Sequence, residues 1–202
     1  NHGHCGVLKK DKREIDNKKT LELLQEMALR HAQAGSDWVC PSAMAKKQVF
    51  VIRKALDKNG YKNTKILGYS AKFNSNFYGP FRNVANSSPK FGDRSSYQLD
   101  YKNDERALDE IKNDILEGAN MVMVKPSLSY LDIIKVAKEK FKYPLAAYNT
   151  SGEYSLIKYG AKLGLFDERK TVFEIISSIK RAGADFIISY HAKDIAKWLK
   201  EN

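Results

Sequence analysis

The chain has 202 residues, enough for one sizeable core or at most two small domains. It is 43% hydrophobic and 29% charged, which excludes global disorder; no apolar run reaches the ~18 residues that cross a bilayer, and none near the N-terminus marks a signal peptide. Two cysteines, Cys5 and Cys40, exclude a disulfide scaffold, and 35 basic against 24 acidic residues give a formal net charge of +11. Nucleic-acid binding would want that charge clustered. The densest run, Lys9-Lys10-Asp11-Lys12-Arg13, is interrupted by an aspartate, and the other lysines are scattered among acids. A solvated, lysine-rich surface is the reading, with neither a nucleic-acid nor a membrane partner.

In chain order, segments of helical period alternate with apolar segments of strand length. Residues 20–34 read as a helix stopped by Gly35, 36–41 as a strand, and 43–58 as a helix closed by Gly60. Residues 65–73 read as a strand. Residues 74–103 form a long Ser-, Asn-, Gly- and Pro-containing stretch with little periodicity. Then follow a helix at 104–117, a strand at 120–125, a helix at 130–140 and a strand at 144–148. Helices at 153–163 and 168–182, a strand at 185–190 and a helix at 191–200 complete the chain.

Five strands alternating with helices are the βα pattern of a parallel sheet covered by helices, and successive apolar residues in the strands predict burial on both faces. A doubly wound open sheet and a (β/α)8 barrel compete. No Gly-x-Gly-x-x-Gly follows a strand, so a dinucleotide fingerprint is missing. A complete barrel typically needs ~250 residues. If this is a barrel, it lacks its front.

Candidate chemistry sits at strand ends. Lys125 follows Met121-Val122-Met123-Val124 and precedes Pro126, which cannot continue a ladder. A partly desolvated amine there could attack a carbonyl to form a Schiff base, or the lysine could snorkel to water. Lys72 repeats the situation after residues 66–71. On one barrel face each lysine would ease deprotonation of the other. Residues 74–98, aromatic and hinged by glycines, read as a lid. Arg82 and Arg94 offer planar forks for a carboxylate, or order the loop by pairing with an acid such as Asp93.

The motifs Tyr69-Ser70-Ala71-Lys72-Phe73, Phe77-Tyr78-Gly79-Pro80-Phe81-Arg82, Phe91-Gly92-Asp93-Arg94 and Met121-Val122-Met123-Val124-Lys125-Pro126 resemble the porphobilinogen synthase, or 5-aminolevulinate dehydratase, family. Residues 130–134, 151–154 and 180–185 continue the likeness, in order, along essentially the whole chain. The resemblance implies a (β/α)8 TIM barrel, here lacking the N-terminal arm and roughly the first three βα units, with residues 1–202 as one partial catalytic domain. It implies a hydro-lyase that condenses two 5-aminolevulinate molecules to porphobilinogen in tetrapyrrole (haem) biosynthesis, assembled as a homo-octamer in cytoplasm or plastid. It further implies that Lys125 is the Schiff-base lysine of the first substrate site and Lys72 the lysine of the second. Ser151 and Tyr190 would hold the first substrate's carboxylate, and Arg82, Arg94 and Gln98 the second's.

In His2-Gly3-His4-Cys5-Gly6 the resemblance makes Cys5 the third cysteine of a catalytic zinc site, which this chain does not complete. Glu110 matches a glutamate that binds an allosteric magnesium through water in some members, against the reading of an exposed helix acid. Cys40 is read as a buried hydrophobe. One departure concerns Lys46-Lys47, where the family usually reads aspartate and glycine; a cation there reverses the local field. A non-catalytic fragment or relative that binds ligand or partner chains is therefore the alternative function.

Overall fold

The computed structural model describes residues 2–10 and 14–201. In chain order the elements are α1 (Asn17–Gln33), β1 (Trp38–Val39), α2 (Gln48–Lys58), β2 (Lys65–Lys72), a 3₁₀ turn (Asn76–Tyr78) and α3 (Gly79–Val84). There follow α4 (Asp104–Leu116), β3 (Met121–Lys125), a second 3₁₀ turn (Leu128–Tyr130), α5 (Leu131–Phe141) and β4 (Leu145–Asn149). Last come α6 (Ser151–Lys162), α7 (Glu168–Ala182), β5 (Phe186–Ser189) and α8 (Ala192–Trp198). The chain forms two compact units, Asn1–Asn74 with Ser87–Met123 and Ser75–Asn86 with Val124–Asn202. No described helix is long and apolar enough to cross a membrane.

In the first unit α1 starts where the Asp16 carboxylate accepts from the Lys19 N–H at 3.1 Å, an N-cap that satisfies one orphan donor. Its buried Ala28 and Ala32 and the buried Val49, Ile52 and Leu56 of α2 follow helical spacing, and the two helices pack together. β1 pairs with β2 in parallel, Val39 opposite Ile66. Asn120 donates its N–H to the Ile66 carbonyl at 2.8 Å and accepts the Ile66 N–H on Oδ1 at 2.9 Å, which starts β3 beside β2. Lys9 of the basic run pairs with Glu14 at 2.5 Å, and residues 11–13 of that run lie outside the described residues.

In the second unit β4 pairs with β5 in parallel, from Ala146 opposite Phe186 to Asn149 opposite Ser189. Leu145, Ala146 and Ala147 are buried, as are Ile133, Ile134 and Ala137 of α5 and Val172 and Ile179 of α7. The parallel pairs and the covering helices make this an α/β fold.

Four local expectations change. The helix expected from residue 43 starts only at Gln48, because Met44 and Lys47 have φ of 60° and 66°, in the left-handed region no α-helix uses. The loop before it is held by buried Gln48, which donates to the Pro41 carbonyl at 3.2 Å and accepts the Ala45 N–H at 3.3 Å. Residues 74–103 are less irregular than expected, containing the first 3₁₀ turn and α3. Cys40, expected buried, is exposed: Val39 takes the inward position, so strand alternation turns the next residue outward. β5, expected buried on both faces, has an exposed Phe186 and half-buried neighbours.

Gly152, in the first turn of α6, lies against the backbone of Phe77; a Cβ there would come within 2.6 Å of the Phe77 Cα and carbonyl oxygen. Gly152→Ala is expected to cost about 1–3 kcal/mol, as overpacking against backbone does, read as a lowered midpoint in urea unfolding.

Candidate active site

The second unit gathers one set of candidate residues around the end of β3. Val122, Met123 and Val124 are buried, so the strand delivers Lys125 from the core to its carboxyl end. The Lys125–Pro126 bond is cis. Lys125 Nζ lies 3.9 Å from the centroid of the Tyr148 ring and 5.3 Å from that of Tyr78. Two aromatic faces favour a cation on that nitrogen. The Tyr78 hydroxyl donates to the Lys125 carbonyl at 3.0 Å, so one tyrosine touches both the backbone and the head of the lysine. Arg82 places its guanidinium over the same tyrosine, with Cζ 5.2 Å from the Tyr78 centroid.

Ser151 opens α6. Its Oγ accepts the Phe81 N–H at 3.1 Å and donates to the Phe77 carbonyl at 3.4 Å, fixing the segment that carries Tyr78 and Arg82. The exposed Tyr190 follows β5, with its ring 6.3 Å from that of Tyr148 and 5.7 Å from that of Tyr154. Glu153, buried in the same turn as Ser151, accepts from the Ser127 N–H at 3.1 Å, the Ser127 hydroxyl at 3.0 Å and the Leu128 N–H at 2.5 Å. It also accepts from the Thr150 hydroxyl at 2.7 Å and from the Thr150 N–H. A single carboxylate thus joins the turn after Lys125-Pro126 to the start of α6.

The first unit holds the remaining candidates. Lys72 ends β2 only 6% exposed, its Nζ donating to the Ser42 carbonyl at 2.6 Å and lying 5.9 Å from the Tyr69 centroid. Leu99 returns to this strand end, donating its N–H to the Lys72 carbonyl at 3.0 Å and accepting from the Asn74 N–H at 2.8 Å. Gln98 beside it is 1% exposed, and neither end of its side-chain amide has a hydrogen-bond partner among the described residues. Arg94 does not pair with Asp93, which binds Ser95 instead. Its Nη2 donates to the carbonyls of Gly3 and Ser87, both at 2.7 Å, tying the N-terminal segment to residues 87–98.

In that N-terminal segment His4 contacts the Phe91 carbonyl through Nε2 at 3.0 Å and the Tyr97 hydroxyl through Nδ1 at 3.3 Å. Burial, then the neighbouring Cys5, push the Tyr97 phenol up. Cys5 supplies one thiol, and no cluster of three metal-type ligands among the described residues includes it. An open zinc site wants about three protein ligands, so the described residues do not complete one at Cys5.

Glu110 is half-buried rather than an exposed helix acid. It lines a polar hollow of about 190 Å³ with Lys46, Asn113, Asp114 and Glu117. Burial raises the Glu110 carboxyl; Arg106 opposes this, and Lys46 also lowers it. Lys46 and Lys47 are exposed, and Asn17 clamps the backbone of Lys46 from both sides, accepting its N–H at 3.0 Å and donating to its carbonyl at 3.2 Å.

With this geometry in place, comparison with known proteins is decisive: the family model for delta-aminolevulinic acid dehydratase matches residues 1–198. The chain belongs to the delta-aminolevulinic acid dehydratase family. A dehydratase of this name from Bacillus subtilis is 53% identical over 200 residues, covering 99% of this chain and 61% of the relative. One from Archaeoglobus fulgidus is 52% identical over 199 residues, covering 98% and 61%. The chain therefore spans about three fifths of the length of these curated relatives. A crystal structure of the Toxoplasma gondii dehydratase in complex with the reaction product porphobilinogen superposes with a TM-score of 0.97 at 44% identity, covering 99% of this chain and 57% of that one.

Within this chain of the dehydratase family, Lys47 has the φ of 66° that glycine adopts most easily, which accounts for the glycine that the resemblance puts there. Sequence reasoning missed Tyr78 and Tyr148 as walls around Lys125, and Glu153 as the joint behind it. Thr150-x-x-Glu153 before an apolar run is a capping-box signature and was the available signal for Glu153.

Glu153→Gln replaces an acceptor oxygen by a donor that faces other donors. A loss of about 3 kcal/mol in urea-unfolding stability is expected. Asp114 is buried against Gly68, where a Cβ would meet its Oδ2 at 2.6 Å, and burial pushes its pKa up to about 7 despite a hydrogen bond from Ser70. The unfolded chain releases this proton near pH ~4 and the folded one near pH ~7, so stability falls as pH rises across that window. Asp114→Asn removes that loss. Unfolding curves at several pH values should show the variant gaining on the parent by ~1.4 kcal/mol per unit of pKa displacement.

Proposed function

We propose that the protein containing this chain is a porphobilinogen synthase, condensing two molecules of 5-aminolevulinate with loss of water. The observation that carries the reading is Lys125 at the end of a buried strand, with Nζ 3.9 Å from the Tyr148 ring, in a chain of the dehydratase family. The neutral Lys125 amine attacks the substrate ketone: an N–C bond forms, the carbonyl oxygen takes up protons and leaves as water, and a positively charged iminium remains. The two aromatic faces that suit an ammonium suit this iminium on the same nitrogen, so charge is stabilised where the reaction creates it. The iminium then draws electrons during bond formation to the second substrate.

In this reading Lys72 serves the second 5-aminolevulinate and Gln98, with its unpartnered amide, meets that substrate's polar groups. Arg82 and Arg94 are assigned to the same carboxylate. Ser151 and Tyr190 are assigned to the first carboxylate, for which the Ser151 hydroxyl must exchange a backbone partner. Zinc at Cys5 needs donors beyond the described residues, and no step is derived through it. The alternating helices and strands support a (β/α)8 barrel for the whole protein. Octameric assembly, magnesium at Glu110 and a cytoplasmic or plastid location belong to the reading and rest on the resemblance alone.

The test is borohydride reduction of the full-length protein with 5-aminolevulinate, followed by peptide mass mapping. Label is expected on Lys125. Lys125→Met should lose label and turnover together while keeping the fold, since Met fills the volume without an amine. Label on neither Lys125 nor Lys72 would overturn the mechanism and favour a non-catalytic relative.

A further inference from the structure

Away from the lysines, the second unit brings α6, α7 and α8 together around a polar cluster. Among the described residues, Glu168, His191 and Asp194 form the single group of three metal-type ligands, with ligand atoms within 4.8 Å of one another. Two carboxylates at helix starts would by themselves be an ordinary acidic cluster. His191 makes the difference. It is 2% exposed, and neither ring nitrogen has a hydrogen-bond partner among the described residues. Buried imidazoles ordinarily engage at least one nitrogen, so a ring nitrogen within 4.8 Å of both carboxylates and without a hydrogen-bond partner points to a missing one. The Tyr154 ring, with its centroid 4.6 Å away, covers the imidazole.

The charges facing His191 are Lys158 on α6, Glu168 on α7 and Asp194 on α8. Burial first and the Lys158 ammonium second push the His191 pKa down, against Glu168 and Asp194. Lys158 Nζ bridges the two acids, 2.6 Å from Glu168 and 3.0 Å from Asp194, and makes no hydrogen bond to either ring nitrogen of His191. Its side chain is 33% exposed, so the ammonium has a route to water.

We propose that Glu168, His191 and Asp194 form a divalent-cation site of the zinc type, in which Lys158 is the resident counter-ion that the metal displaces. One imidazole nitrogen and two carboxylates are a donor set that zinc accepts, and three protein ligands leave a position for water. Replacing one positive charge by two takes the cluster from one net negative charge to neutrality. It also gives the His191 lone pair a partner. Cys5 belongs to the other unit and is not among its ligands.

The experiment is calorimetric titration of chelator-treated full-length protein with Zn²⁺, in a Cys5→Ser background so that the thiol does not contribute. One zinc per chain is expected at this site. Its affinity should fall at least tenfold in His191→Ala and in Asp194→Asn, since even outer-shell losses cost 10–100-fold. Lys158→Gln should bind more tightly than the parent, because the competing ammonium is gone; a purely structural cluster would not show that gain. Asp194→Asn is nearly isosteric and decides the matter if His191→Ala does not fold. Equal zinc affinity in the parent and Asp194→Asn, or no gain in Lys158→Gln, would overturn the proposal.

Discussion

The buried carboxylate of Glu153 is the constraint from which the geometry around Lys125 follows. It sits in the first turn of α6, where the helix dipole favours an anion, and it gathers the Ser127, Leu128 and Thr150 donors. From it a closed path of hydrogen bonds can be traced. The turn at Ser127 follows Lys125 and Pro126; the Lys125 carbonyl accepts from Tyr78; the backbone of Phe77 and Phe81, on either side of Tyr78, binds Ser151; and Ser151 is two residues from Glu153. Lys125 and Ser151 come from different elements, yet neither can shift without breaking a bond in this ring. Gly152 completes it, since its missing side chain lets α6 meet the Phe77 backbone.

The first unit achieves the same end with a cation. Arg94 is half-buried between the N-terminal segment and residues 87–98, and its two carbonyl contacts hold Gly3 against Ser87. The chain then runs through Tyr97 and Gln98 to the bridge between Leu99 and Phe73, which brings Gln98 to the strand end that carries Lys72. A guanidinium is suited to this because its fixed fork reaches two acceptors at once. Lys46, which the sequence suggested would reverse the field near the reacting lysine, sits beside Glu110 over an acidic hollow, where its charge has a counterpart.

Periodicity made the long elements legible, and strand ends singled out Lys72 and Lys125 in the sequence itself. These are local signals: an apolar run, a breaker and a polar residue between them. The start of α2 was not legible because two residues other than glycine adopt positive φ, which no side-chain pattern announces. The facing of Cys40 was not legible because β1 is only two residues long, Trp38 paired with Lys65 and Val39 with Ile66, too short to show an alternation in sequence. Tyr78 and Tyr148 escaped notice because their relation to Lys125 spans 47 residues in one case and a neighbouring strand in the other. Glu153 carried a capping signature, but its bonds to Ser127 and Leu128 are tertiary and left no trace in spacing.

The partners that Glu153 gathers are neutral N–H and O–H groups rather than an opposing side-chain charge. Dissolved ions weaken attractions between exposed charges, such as Lys135 with Glu139 or Lys9 with Glu14, because counter-ions can gather around each partner. They have no comparable access to a sealed carboxylate held by fixed dipoles. The lysine-rich exterior and the scaffold behind Lys125 therefore respond to different variables. Ionic strength tunes how the surface meets other molecules, while the arrangement that holds the Lys125 amine is insulated from the salt around it.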